Sequence, residues 1–292
     1  MTLQKDRVYI LAGATGSEIL RRGFPTKLPL WSAQVLFEKP ELVRQIYVDY
    51  IRAGADIIVT NTFRTQRRTL AKAGRADATG RINRLAVDLA LQARGEAAGG
   101  QPVLIGASMT TLEDCYRPDL LPTAQEMEAE HREQAQLLAS APIDFFLLET
   151  FNSIQEAVIA ARAAAATGKP LMVSFTANTR GDILNGDQWS EAIRQVEEFS
   201  PLAIMVNCVP PAVATAALEK IKRSTALPFG AYANGAGEAD TTDGWKFSSG
   251  DRIGQYLDHC RDWADMGATI IGGCCGTNHE YTRAYRQFRR PQ

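Results

Sequence analysis

The sequence predicts an α/β fold, a single (β/α)8 TIM barrel taking in residues 1–292. Three observations predict it. Short apolar runs alternate with helical patterns along the whole chain, in eight pairs. The runs are nearly continuous, as in FFLLE at 145–149 and AIMVN at 203–207, which is the pattern of parallel strands covered on both faces. The length, 292 residues, suits a barrel, which typically takes about 250.

The first run covers 8–13 and is followed by a loop and a helix at 41–53. The second, 56–63, precedes a helix at 78–96; the third, 102–108, a helix at 123–140. The fourth, 144–150, leads into 154–167, and the fifth, 171–177, into 190–199. The sixth, 203–209, leads into 212–224, the seventh, 228–234, into 251–266, and the eighth, 269–275, into 279–288. Gly54, Gly168 and Gly267 stand where helices should stop, just before the next strand. A doubly wound open sheet is the alternative, but Gly13-Ala14-Thr15-Gly16 after the first strand is not the GxGxxG fingerprint it would need. The long connections, 14–40, 64–77, 109–122, 178–188 and 235–250, all leave the C-terminal ends of strands. Barrels build active sites at that face, so loop length predicts an enzyme with a covered pocket.

A net charge of −1 argues against nucleic acid or an anionic membrane as the main partner. The densest basic cluster, 64–68, is interrupted by Thr65 and Gln66 and reads as a solvated or substrate-facing loop. No apolar run reaches the roughly 20 residues of a membrane span. Residues 1–8 contain Asp6 and lack the apolar stretch of a signal peptide, so the expected compartment is the cytosol. There, five cysteines serve as thiols or metal ligands rather than disulfides.

Cys208 ends the sixth strand, and Cys274 and Cys275 end the eighth. In a barrel these strands are separated by one neighbour, so all three thiols belong to one rim. Adjacent cysteines in a regular strand point to opposite faces. Both reach one ion only if the backbone turns sharply, a freedom supplied by Gly272, Gly273 and Gly276. Three thiolates suit Zn2+ and leave its fourth position open. Cys115 and Cys260 read as small buried residues, and CC is not a CxxC redox spacing.

VNC at 206–208 and GGCCGT at 272–277 resemble the zinc motifs of the homocysteine S-methyltransferases. That family includes the betaine– and S-methylmethionine–homocysteine methyltransferases and the homocysteine domain of cobalamin-dependent methionine synthase. The resemblance extends to LAGATGSEILRRG at 11–23, AGADIIVTNTF at 53–63, DFFLLET at 144–150 and AYANG at 231–235. It implies a (β/α)8 barrel, zinc on Cys208, Cys274 and Cys275, and methyl transfer to homocysteine, giving methionine. It also implies that Glu149 contacts the substrate ammonium, that Thr60 and the Gly13–Ala14 backbone lie near its carboxylate, and that the Asn234 carbonyl occupies the metal before the thiol arrives. Thr62 offers a further hydroxyl. Two departures stand out. Ala12 takes the place of an aspartate common among relatives, which leaves open whether homocysteine is the acceptor. Arg64 takes the place of the betaine-type tyrosine.

A free thiol has a pKa near 8.5 and is mostly protonated at neutral pH, whereas the thiolate is the nucleophile. Zinc coordination deprotonates it, and in-line attack on an onium methyl releases a neutral leaving group, so the protein mainly aligns and desolvates. The barrel uses all 292 residues, leaving none for folate or cobalamin binding. The expected donor is therefore small: S-methylmethionine or S-adenosylmethionine, then betaine or dimethylsulfoniopropionate. Trp31, Tyr116, Trp189, Tyr232 and Trp245 are candidates to face its cation. Alternatives are another thiol or selenol acceptor, a corrinoid-protein donor, and a non-catalytic zinc- or thiol-sensing barrel. A zinc hydrolase is disfavoured, because three thiolates make the ion a poor activator of water and no histidine (His131, His259, His279) ends a strand. The protein is expected as a monomer or small homo-oligomer.

Overall fold

The computed structural model describes residues 2–4, 6–249 and 252–289. Residue 1, the end of the 235–250 connection and the expected helix start at 251 lie outside them. Eight parallel strands form the sheet: β1 (Tyr9–Ile10), β2 (Ile57–Val59), β3 (Leu104–Met109), β4 (Phe145–Phe151), β5 (Leu171–Phe175), β6 (Ile204–Asn207), β7 (Phe229–Ala233) and, after a two-stranded hairpin of β8 (Glu238–Asp240) and β9 (Gly244–Lys246), β10 (Ile270–Gly273). Their order is β1-β10-β7-β6-β5-β4-β3-β2. A parallel bridge between Leu11 and Ile57, with Ala12 N–H donating to the Ile57 carbonyl at 2.9 Å, brings β1 to β2 and closes the barrel. That closure excludes the open-sheet alternative.

The strands' two-residue period separates two layers of core. Tyr9, Leu11, Ile57, Phe145, Leu147, Met172, Met205, Tyr232 and Ile270 fill the barrel. Ile10, Phe146, Leu148, Val173, Val206 and Ile271 point outward, where helices pack against them. The helices are α1 (Gly16–Arg21), α2 (Gln34–Glu38), α3 (Pro40–Ala53), α4 (Arg67–Lys72), α5 (Thr79–Ala97), α6 (Ala124–Ala139), α7 (Ile154–Ala165), α8 (Trp189–Val196), α9 (Pro211–Ser224), α10 (Ile253–Met266) and α11 (His279–Tyr285). Local chemistry fixes their ends. Thr123 and Glu126 form a reciprocal capping box at the start of α6, and Gly54 and Gly267 take left-handed conformations after α3 and α10.

Most expected strands are longer than the observed ones, since the ladder stops where chains leave for the mouth. The connections also hold structure that the sequence reading left as loop: α1 and α2 within 14–40, α4 within 64–77, and the β8–β9 hairpin. None of the described helices is long and apolar enough to cross a membrane.

The barrel seam rests on Asp56, 5% exposed. One carboxylate oxygen accepts from Arg7 and from Arg289, each at 2.8 Å, and the other from the Ile10 N–H at 2.9 Å. Asp56→Ala should lower unfolding stability by about 3 kcal/mol, because two guanidinium groups and a buried N–H lose their partner together. Urea denaturation checks this; a midpoint within error of wild type would show that the seam is held elsewhere.

Candidate metal centre and active site

At the C-terminal mouth of the barrel the ladder breaks where side chains must be re-aimed. In β4, Leu148 pairs with Val173 but Phe151 pairs with Phe175, so β4 carries one extra residue. This bulge contains Glu149 and Thr150, and Thr150 has φ +60°. Asn207 holds it. Its side-chain carbonyl accepts from Thr150 N–H at 2.9 Å and from Ser174 Oγ at 2.7 Å, while its Nδ2 donates to Thr150 Oγ1 at 2.7 Å. The next residue, Cys208, is itself left-handed at φ +58°. A non-glycine residue rarely adopts this conformation, and here it turns a thiol inward.

β10 ends at Gly273, so Cys274 and Cys275 lie in a turn rather than in the strand. Gly276 supplies the positive φ of +81°. Gly273 is needed for a different reason: a Cβ there would lie 2.4 Å from Thr277 Oγ1. The segment after β1 clamps the turn, with Gly276 N–H donating to Ser17 Oγ and Arg21 donating to the Gly276 carbonyl, both at 2.8 Å.

The sulfurs of Cys208, Cys274 and Cys275 all lie within 4.8 Å of one another, and the Cys208–Cys275 pair is 3.9 Å apart. Tetrahedral zinc with Zn–S bonds of about 2.3 Å places its sulfurs about 3.8 Å apart, so this donor set fits such an ion. Contact with Cys274 first, and then burial, push the Cys208 thiol well above its ordinary range; Cys275 is raised in the same way by Cys208. Three thiols crowded together resist ionising until a cation joins them. Trp245, from β9, packs over the sulfurs and is 2% exposed. The Tyr116 hydroxyl lies 3.1 Å from both the Cys208 Sγ and the Cys208 carbonyl.

Beside the sulfurs is a cavity of about 90 Å³, lined by Gly13, Ala14, Trp31, Thr60, Phe63, Glu149, Tyr232 and the three cysteines, among others. A larger cleft of about 590 Å³ lies between α6 and α7, but none of its lining residues belongs to a barrel strand. In the cavity, Glu149 is the one carboxylate. Ser108 Oγ donates to it at 2.5 Å and the Tyr232 hydroxyl at 3.2 Å. Burial nonetheless pushes its carboxyl up to about 7.

Homocysteine S-methyltransferases form the family whose sequence profile matches residues 9–288. This chain belongs to that family. It is therefore a methyltransferase. It is 29% identical to the homocysteine S-methyltransferase of Escherichia coli K12, over 94% of this chain and 93% of that protein. It is 26% identical to the selenocysteine methyltransferase of Astragalus bisulcatus, over 96% and 92%. Crystal structures of the E. coli homocysteine methyltransferase MmuM superpose with TM-scores of 0.85 (oxidised form, covering 97% of this chain and 96% of that one) and 0.82 (metallated form, 96% of each), both at 28% identity.

The other residues singled out in this family member fall as follows. Among the described residues Gly13 N–H has no hydrogen-bond partner, whereas Ala14 N–H donates to Thr277 Oγ1 at 3.3 Å. Thr60 lines the cavity, but Thr62 Oγ1 donates to the Ser108 carbonyl, so the Thr60 hydroxyl gives its proton to Thr62 at 2.8 Å. Asn234 lines a separate cleft with Pro210, Tyr256 and His259. Trp189 corrects an expectation: it is 3% exposed in the outer core, packed edge-on against Phe175, with its N–H on the Gly181 carbonyl. It does not face the mouth. Ser108 and Asn207 were not foreseen as site residues, since a lone Ser or Asn at a strand end gives no signal without the bulge it satisfies.

The raised Glu149 carboxyl has a stability signature. Its protonated form is favoured by folding, so stability falls as pH rises from the unfolded value near 4.5 through about 7. In metal-free protein at pH 8, Glu149→Gln should be more stable than wild type by about 2 kcal/mol, allowing for cavity water, and the gap should close near pH 5. Thermal melts at the two pH values read this; a gap independent of pH would mean the carboxyl is not desolvated.

Proposed function

We propose that the protein transfers a methyl group from a small onium donor to the thiol of homocysteine, with zinc held by Cys208, Cys274 and Cys275. The observation that carries this reading is the convergence of three sulfurs, spaced for one tetrahedral ion, beside a cavity with a single carboxylate. When bound, zinc supplies the positive charge that makes an incoming thiol a thiolate and fixes its sulfur. The chain's own groups do the rest. Glu149 receives the acceptor's ammonium, and that cation favours its ionised form. Gly13 N–H, with Ala14 and Thr60 beside it, faces the acceptor carboxylate; the Thr60 hydroxyl reaches it only by releasing Thr62. Asn234, which lines the neighbouring cleft and not this cavity, would contribute its backbone carbonyl. Trp31 and Phe63, rings 6.1 Å apart and edge-to-face, line the cavity where an onium methyl would approach. The transferred carbon exchanges its bond to the donor's sulfur or nitrogen for one to the acceptor's sulfur. The donor leaves neutral, so no general acid is required. S-methylmethionine and S-adenosylmethionine are the first donors to try, betaine and dimethylsulfoniopropionate the second. Likeness to a selenocysteine methyltransferase supports including selenol acceptors.

Zinc-loaded protein given homocysteine and each donor should form methionine. Cys208→Ala should lower zinc affinity by at least about 100-fold and abolish turnover, since a ligand of the ion is lost. Cys260→Ala, in the helical layer, should retain one zinc per chain. Full turnover by the Cys208 variant would remove zinc chemistry from the reaction.

A further inference from the structure

Between residues 64 and 72 the chain carries four cations, and three of them are answered by carboxylates. Arg67 pairs with Glu133, Arg68 with Glu113, Glu126 and Glu130, and Lys72 with Glu113. Arg64 is different. Among the described residues it has no carboxylate or carbonyl partner, although it is only partly exposed and its Nε is buried. Its guanidinium lies 5.6 Å from the centre of the Phe63 ring, and Phe63 lines the cavity. A buried guanidinium N–H without an acceptor is costly in a folded protein and calls for a ligand. The planar fork of arginine matches the paired oxygens of a carboxylate, the anion that small onium methyl donors such as betaine and S-methylmethionine carry.

Position decides whose carboxylate this is. The groups proposed for the acceptor, Gly13, Thr60 and Glu149, stand at or beside the strand ends. Arg64 lies five residues past the end of β2, beside Phe63 and outside the residues that line the cavity. We propose that Arg64 binds the carboxylate of the methyl donor while Trp31 and Phe63 face its onium centre, so that the site selects zwitterionic onium donors. The inference rests on the methyl-transfer reading above. An onium that lacks a carboxylate would meet the same aromatic wall and a repelling guanidinium, so Arg64 discriminates in both directions.

Binding to zinc-loaded protein without any thiol tests this independently of turnover. The probes are dimethylsulfoniopropionate and S-methylmethionine, each against its carboxyl methyl ester, by calorimetry. Wild type should prefer each acid over its ester by at least about tenfold, the scale of one charge-assisted pair. Arg64→Gln should bring the preference to within about twofold and Arg64→Lys should restore part of it. Neither variant should melt below wild type, because among the described residues Arg64 has no hydrogen-bond or ion-pair partner to lose. In steady state, Arg64→Gln should raise the donor KM and leave the homocysteine KM unchanged. An undiminished preference in Arg64→Gln, no binding of either acid by wild type, or a rise confined to the acceptor KM would each overturn the assignment. If no donor yields methionine, methyl transfer to homocysteine fails while the acid–ester contrast still judges Arg64. If methyl transfer proceeds but only from a source lacking a carboxylate, the reverse holds.

Discussion

One side-chain amide, that of Asn207, sets the distance between the acid and the metal ligands. The bulge in β4 aims Glu149 into the cavity, but it takes the Thr150 N–H out of the ladder. Left unpaired and buried, that group would cost about 1–3 kcal/mol. Asn207 answers it with its carbonyl, answers Thr150 Oγ1 with its NH2, and takes a third bond from Ser174 on the strand between. The amide does all three without bringing a charge into the buried site. The same residue directly precedes Cys208, whose left-handed turn follows from it in sequence. A leucine here would free the bulge, and an aspartate, though able to accept all three bonds, would bury a negative charge. Either way, Glu149 and the Cys208 sulfur would lose their common reference.

The groups able to ionise in the cavity are all acids. One carboxylate and three thiols line it, and no lysine or arginine does. Burial raises Glu149, and contact among the thiols, then burial, raises the cysteines, so a cation binding here would displace protons. The same low polarity that destabilises the charged forms strengthens their attraction for a metal ion or an ammonium. Trp245 packs against Cys208 and Cys275, and the Tyr116 hydroxyl lies on the Cys208 sulfur, so the thiols are largely shielded from water. Positive charge within the protein is placed just outside this wall, at Arg64.

Much of this was legible in the sequence, for identifiable reasons. Eight apolar runs with two-sided burial specify a parallel barrel, and a barrel brings residues ending alternate strands to one rim; Cys208, Cys274 and Cys275 follow from that topology alone. The bends did not. Cys208 carries its own left-handed turn, while Gly272 and Gly273 serve close packing rather than bending, and only Gly276 is left-handed. The β8–β9 hairpin is polar along both strands, and its turn is made by Asp240 accepting from Thr242 and Asp243 N–H. Its one apolar anchor, Trp245, is buried by the metal centre, a contact between distant segments. Trp189 misled for the converse reason: placement beside a long loop says nothing about which way a ring faces.

Ala12 can be understood in the same electrostatic terms. It lines the cavity, 4% exposed, at the place where the family resemblance implies an aspartate. A second carboxylate would raise Glu149 further by like-charge repulsion, and the two would titrate as a pair. With alanine, Glu149 remains the one carboxylate lining the cavity, and on the reading proposed above ammonium recognition would fall to it and follow its titration. Alanine also leaves an apolar surface next to Gly13, where a carboxylate would have been a second titrating group.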